Sequence, residues 1–185
     1  LFRSLRDALL AGEVDYIVHS FKDLPSAPMP GITLAAIPRR EDHRDILISR
    51  DNQTLSELAT GAVVGTSSPR RAARIRHLRP DLEIKPIRGN IDTRLKKVQD
   101  GDFDATILAA AGLNRIGLGE VNKWFFTDAE LLPAPAQGAL AIECRSGDLD
   151  LIAELQKVNH AETELIVTAE RAVLRGISAS CTTAI

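Results

Sequence analysis

Apolar and polar positions along this chain follow two periods that alternate repeatedly. Apolar runs of strand length fall at 15–19, 32–37, 45–49, 62–66, 83–87, 104–109 and 139–144. Between most of them the apolar spacing changes to three and four, which predicts helices near 68–79, 90–100 and 109–116. At the start, Leu5, Leu9 and Leu10 predict a short amphipathic helix over 4–11, ended by Gly12. From Asp148 the chain reads as helix, with Leu151, Leu155 and Val158, then Leu165, Val167, Ala172 and Leu174. Strands alternating with helices predict an α/β fold with a mainly parallel sheet. Two proline-bearing connectors, Leu24–Gly31 and Leu132–Gly138, punctuate the pattern. The stretch between them is expected to form one lobe and the flanking segments the other, with a hinge and a cleft where the chain crosses twice.

Composition narrows the class. A chain of 185 residues, 44% hydrophobic and 26% charged, is ordinary for a globular protein. Its longest apolar run, Ala105–Leu113, is interrupted by Thr106 and Gly112 and falls short of the about 20 apolar residues that a membrane span needs. Leu1-Phe2-Arg3 opens directly in a helical pattern without a signal peptide, and the absent initiator methionine predicts a fragment. Two cysteines, Cys144 and Cys181, make neither a disulfide framework nor a zinc site, so a reducing, cytoplasmic location is expected.

Charge is unevenly spread. Residues 66–97 carry ten Lys and Arg against three Asp and Glu, while the remainder carries 13 against 22, which returns the net charge of −2. A basic segment in an otherwise acidic chain reads as a local anion site. Nucleic acid is a poor fit, because aromatics make up only 4% and none are arranged for stacking within 66–97.

The candidate chemistry sits at strand ends. Tyr16-Ile17-Val18 runs into His19-Ser20-Phe21-Lys22-Asp23, then Leu24-Pro25, so a hydroxyl, an ammonium and a carboxylate follow an apolar strand. In open α/β sheets such positions face the ligand, and Pro25 fixes the turn. Gly65-Thr66-Ser67-Ser68-Pro69-Arg70-Arg71 joins a strand to a helix, with Ser68 as N-cap and Pro69 at the first turn, a ready anion site. Arg71 shares an arc with Ala72, Ile75 and Leu78, so its guanidinium faces the core and requires an anionic partner. Arg70 and Arg74 fall on the opposite arc, and Arg74 is expected to be solvated. Arg88-Gly89-Asn90 repeats the arrangement, with Asn90 capping a helix whose stripe of Ile91, Leu95 and Val98 is bordered by Arg94. Lys96 and Lys97 are expected at the surface. Arginines in this number suit planar, bidentate recognition of several carboxylates. Arg115 and Gln137 are weaker candidates, Gln137 being equally a turn residue; His19 and Cys144 read as packed core.

Taken together, His19–Asp23, Gly65–Arg71, Arg88–Asn90 with Thr93-Arg94, and Pro135-Ala136-Gln137-Gly138 resemble the porphobilinogen deaminase (hydroxymethylbilane synthase) family, in order and spacing, from Leu1 to Cys181. The resemblance implies two hinged α/β lobes like those of type II periplasmic binding proteins, plus a small third α/β domain. On that pattern domain 1 comprises 1–38 and 139–156, domain 2 comprises 39–138, and 157–185 starts the C-terminal cofactor-attachment domain. The N-terminal part of domain 1 and most of domain 3 are expected to be missing, leaving an incomplete enzyme. The implied activity is a transferase reaction of tetrapyrrole and haem biosynthesis. Four porphobilinogen molecules condense into hydroxymethylbilane, with loss of ammonia, on a covalently attached dipyrromethane. By position the resemblance implies Asp23 as the catalytic carboxylate and Cys181 as the thioether attachment point. It implies Ser20, Lys22, Thr66, Ser67, Ser68, Arg70, Arg71, Arg88, Arg94, Arg115 and Gln137 as cofactor- and substrate-binding residues, with no metal, no nucleic acid or membrane partner, and a monomer. Around Cys181, Ala179-Ser180 and Thr182-Thr183-Ala184 depart from the family's usual glycine pair and following proline. The alternative is a non-catalytic, two-lobed polycarboxylate-binding module.

Overall fold

The computed structural model describes residues 2–25 and 27–176. They fall into two compact units, one built from the segments up to Glu41 and from Ala134 onward, the other from Asp42–Pro133. Cys181 lies outside the described residues.

The first unit opens with α1 (Phe2–Leu10), followed by β1 (Tyr16–Ser20) and a single 3-10 turn (Phe21–Asp23), then β2 (Ile32–Ala36). The second unit contributes β3 (Asp45–Ser49), β4 (Val63–Gly65), α2 (Pro69–Leu78), β5 (Glu83–Lys85), α3 (Ile91–Gln99), β6 (Ala105–Ala109), α4 (Ala110–Arg115) and β7 (Trp124–Phe125). The chain then returns to the first unit through β8 (Leu140–Arg145), α5 (Leu149–Gln156) and α6 (Ala161–Gly176).

The strands arise where apolar periodicity predicts them, but their directions correct the expectation of a mainly parallel sheet. The first unit holds a three-stranded sheet in the order β1-β8-β2, antiparallel throughout. The second holds five strands in the order β5-β4-β6-β3-β7, parallel only across β5-β4-β6. The reason is connectivity: α2 and α3 supply the crossovers that make parallel neighbours, whereas β3 enters with no crossover helix and pairs antiparallel with β6.

In the second unit β3 and β6 are covered on both faces, which explains their unbroken apolar runs. Leu47 and Ile107 join one cluster with Val64, Ile75 and Phe126, while Ile46, Ile48 and Leu108 join another with Leu113. The first unit's cluster contains Phe21, Leu24, Ile37, Ala136, Ala141 and Val167. Val167 belongs to α6, within the segment set aside above as the start of a further domain. No described helix is long and apolar enough to cross a membrane.

Buried charge sits inside the first unit as well. Arg6 donates to both oxygens of Glu143, at 2.9 and 2.6 Å, and His19 Nε2 lies 3.4 Å from the same carboxylate. Burial pushes the His19 imidazole below its ordinary value; Glu143 opposes this shift and the Arg6 charge adds to it. The unfolded chain therefore binds a proton near pH about 6.5 that the folded chain refuses until lower pH. Folding stability is expected to fall as the pH drops through 6.5, and His19→Gln to flatten that slope in urea titrations between pH 7 and 5. An equal slope in the variant would place the titration on another group.

Candidate active site

The basic cluster of the second unit grows from two strand-to-helix junctions. At the first, β4 ends in Gly65 and the chain turns through Thr66, whose hydroxyl accepts the Ser68 N–H at 3.2 Å. Ser67 anchors the turn by donating to the Ile87 carbonyl at 2.7 Å. Ser68 then caps α2, its oxygen accepting the Arg71 N–H, and Pro69 occupies the first turn as its fixed φ allows.

This turn delivers Arg70 and Arg71 to a single carboxylate. Asp45, fully buried at the head of β3, accepts from Arg70 Nη2 at 2.6 Å and from Arg71 Nη2 and Nε at 2.7 and 3.2 Å. Arg71 also donates to the Ile107 carbonyl at 2.9 Å, and Arg70 to that of Leu132. The core-facing guanidinium thus has the anionic partner its position requires, and the protein supplies it. Asp45 pairs with both guanidinium groups at once, which holds both forks in a fixed orientation.

At the second junction Asn90 caps α3, its oxygen accepting the Thr93 N–H at 2.9 Å and hydroxyl at 2.6 Å. Gly89 has φ of 115°, and a Cβ there would lie 2.7 Å from the Thr93 side chain, so this turn admits only glycine without rearrangement. Arg94 donates to the Gly89 carbonyl at 2.9 Å. Burial first, and then the nearby Arg71 charge, pull the Arg94 guanidinium below its ordinary value. Two cations close enough to disfavour each other make a site that gains from a bound anion. Arg88 is exposed beside this turn, and Arg115 is exposed in the last turn of α4.

Arg74 departs from its expected solvated role. Its Nε and Nη2 donate to the carbonyls of Glu130 and Ala129 at 2.6 and 2.8 Å, which ties α2 to the segment before the second connector. Lys96 pairs with Asp100 at the surface as expected, whereas Lys97 is half-buried and reaches the Arg88 carbonyl at 3.4 Å.

The first unit carries the remaining candidates. Ser20 ends β1 and is exposed; Lys22 is half-buried, and Asp23 is exposed on the 3-10 turn, which the Leu24 N–H closes onto the Phe21 carbonyl at 3.2 Å. Gln137 is fully buried and accepts from Lys22 Nζ at 3.2 Å, so its side chain links the second connector to the 3-10 turn. Its carbonyl accepts from Arg40 Nε at 2.8 Å, and Arg40 forms a bidentate pair with Glu170 of α6 at 2.7 and 3.0 Å. Glu170 also accepts the Ala136 N–H at 2.6 Å. Cys144 is fully buried and its thiol is pushed up by burial, as suits an inert core sulfur.

Sequence reasoning missed Asp45, Arg40, Glu170 and the Arg6–Glu143 pair. The signal for Asp45 and Glu143 was present, since each interrupts or opens an apolar strand, Asp45-Ile46-Leu47-Ile48 and Leu140-Ala141-Ile142-Glu143-Cys144. A carboxylate so placed needs a cation.

The chain is similar in sequence to known proteins. Residues 1–153 match the family described as porphobilinogen deaminase, dipyromethane cofactor binding domain. A porphobilinogen deaminase from Corynebacterium efficiens is 55% identical over 180 residues, 97% of this chain and 60% of the relative. One from Mycobacterium tuberculosis is 55% identical over 179 residues, 96% of this chain and 58% of the relative. The chain therefore spans about three-fifths of the length of these curated relatives. Among solved structures, the second substrate-binding domain of an amino acid ABC transporter from Streptococcus pneumoniae superposes with a TM-score of 0.54 at 14% identity, over 95% of this chain and 73% of that one. The fold is thus α/β and resembles that of type II periplasmic binding proteins.

Proposed function

Because this chain belongs to the porphobilinogen deaminase family, we propose that the protein condenses four porphobilinogen molecules, with loss of ammonia, into hydroxymethylbilane. The observation that carries the reading is the guanidinium cluster: Arg70 and Arg71 oriented on one buried Asp45, with Arg94 beside Arg71. Porphobilinogen brings two carboxylates per ring, so a growing chain presents the many-carboxylate anion for which such a cluster is suited.

The donor set also suits a dipyrromethane, whose acetate and propionate groups match arginine forks and the hydroxyls of Thr66, Ser67 and Ser68. When bound, that group supplies the covalently held primer to which pyrrole units are added, and Cys181 is its attachment point in this reading. Arg70, Arg71, Arg88, Arg94 and Arg115 hold carboxylates and set the register of the rings. Lys22 and Ser20 bind alongside the 3-10 turn, with Gln137 holding the Lys22 ammonium in place.

Asp23 is the proton-handling group. Loss of ammonia from the aminomethyl carbon of porphobilinogen leaves positive charge that spreads onto the pyrrole nitrogen. A carboxylate within hydrogen-bond reach stabilises that charge, and it takes and returns the proton that each addition displaces. The turn gives Asp23 an exposed position on a short, closed backbone, which suits a group that must meet successive rings.

Intact mass of the full chain, with and without porphobilinogen, tests the proposal. The expected result is a covalent pyrrole adduct that grows in a ladder of single pyrrole units when substrate is added. A protein that retains porphobilinogen without any covalent ladder would instead be a polycarboxylate-binding module.

A further inference from the structure

We infer that Arg171 is a positioning residue that clamps the 3-10 turn and so holds Asp23 for proton work; this inference rests on the function proposed above. Arg171 lies on α6, is 5% exposed, and spends its guanidinium on main chain rather than on a carboxylate. Nη1 donates to the Phe21 carbonyl at 3.0 Å, and Nη2 to those of Leu24 and Pro25, each at 3.0 Å. These three carbonyls bracket Asp23 on both sides in sequence. The guanidinium carbon also stacks 4.5 Å from the Phe21 ring centroid, which fixes the plane of the fork.

Geometry makes this a clamp rather than ordinary packing. The turn is one 3-10 helix of three residues, with the Leu24 N–H on the Phe21 carbonyl and the Phe21 N–H on the Ala139 carbonyl, too short to hold its own shape. Phe21 and Leu24 anchor it to the apolar cluster on one side. The same two residues, with Pro25 and Arg171, also border a cavity of about 470 Å³, so packing leaves the turn partly unsupported. Burying a guanidinium is costly, and burial pulls Arg171 below its ordinary value. The three carbonyls, with the more distant Glu143 charge, compensate it, and the carbonyls do so only while the turn keeps its shape. Guanidinium and turn therefore hold one another. Only a planar fork reaches three diverging carbonyls at once; an ammonium at the same depth does not.

The sequence carries a trace of this role. Thr163, Val167 and Arg171 recur every four residues and are all buried, which puts Arg171 on the core face of α6. That is the same signal that singled out Arg71.

The test compares Arg171→Met and Arg171→Lys with the parent in the full chain. Arg171→Met keeps an unbranched stem but donates nothing, while Arg171→Lys reaches one carbonyl. Amide exchange in the 19–25 peptide is expected to rise roughly tenfold in Arg171→Met, with β3 and β6 unchanged. The same variant is expected to lose roughly tenfold or more in kcat, with KM for porphobilinogen within about twofold and the pyrrole adduct retained by mass. Arg171→Lys is expected to recover part of both effects. Unchanged exchange in the turn overturns the clamp, whatever the rate does. A loosened turn with the parent's kcat overturns the positioning role, as does a rise in KM with kcat intact. Loss of the folded circular dichroism spectrum in both variants marks Arg171 as structural and also overturns it. If the parent itself forms no tetrapyrrole from porphobilinogen, the functional reading fails and the positioning role with it, while exchange still decides whether the clamp exists.

Discussion

Asp23→Asn in the full chain is expected to lower the rate of hydroxymethylbilane release by about 10²-fold or more while leaving the covalent pyrrole adduct in place. Asparagine keeps the size and shape of the side chain but carries no charge and takes no proton at neutral pH. Stability is expected to change little, because Asp23 is exposed and has no hydrogen-bond or ion-pair partner among the described residues. Its surroundings are fixed from the backbone: Leu24 closes the turn, and Arg171 holds the carbonyls of Phe21, Leu24 and Pro25. A loss of rate in Asp23→Asn therefore reports chemistry rather than a disordered turn. Ehrlich colour on the denatured variant measures the retained adduct, and a stopped assay measures turnover. Near-normal turnover would remove Asp23 from its role. A colourless variant would move that role to adduct assembly.

The parts of this protein that were legible in its sequence are those written locally. Ser68 before Pro69, and Asn90 after Gly89, each announce a helix start within four residues, and both caps form with the expected side-chain bonds. The burial of Arg71 follows from its place among Ala72, Ile75 and Leu78, because helical periodicity sets facing. What could not be read locally is which residue meets which. Arg71 plainly needed an anion, yet Asp45 sits 26 residues away on a strand whose apolar neighbours hid its role. Strand direction escaped for the same reason, since a strand that pairs antiparallel with β6 has the same apolar run as one that pairs parallel. Arg74 lies on the outer arc of α2, where helical facing alone predicts exposure to water, whereas carbonyls of the segment at 129–130 cover it. Tertiary structure, not the helix itself, decides whether an outer arc is exposed.

Asp45→Ala is expected to be the most destabilising single change in the second unit, at about 3–5 kcal/mol, as when one member of a buried ion pair is removed. Asp45 is fully buried and supports two guanidinium groups whose side chains are only about a tenth exposed, at 10% and 9%. Removing it takes their carboxylate from both desolvated groups, with the Ile107 and Leu132 carbonyls among their remaining acceptors. Arg70 shows the underlying tension, for burial already pulls it below its ordinary value and the Asp45 charge is what opposes this. Asp45→Asn keeps a hydrogen-bond acceptor in the same place and is expected to lose less, roughly half as much. Urea unfolding of both variants in the full chain gives the comparison, and if the alanine variant fails to fold, the asparagine variant still reads the charge. The consequences extend beyond stability. With Asp45 gone the two forks lose their fixed orientation, so affinity for porphobilinogen is expected to fall in Asp45→Asn even where the protein stays folded. A midpoint and an affinity both equal to those of the parent would mean that the cluster neither needs this carboxylate to stay buried nor uses it to aim its arginines.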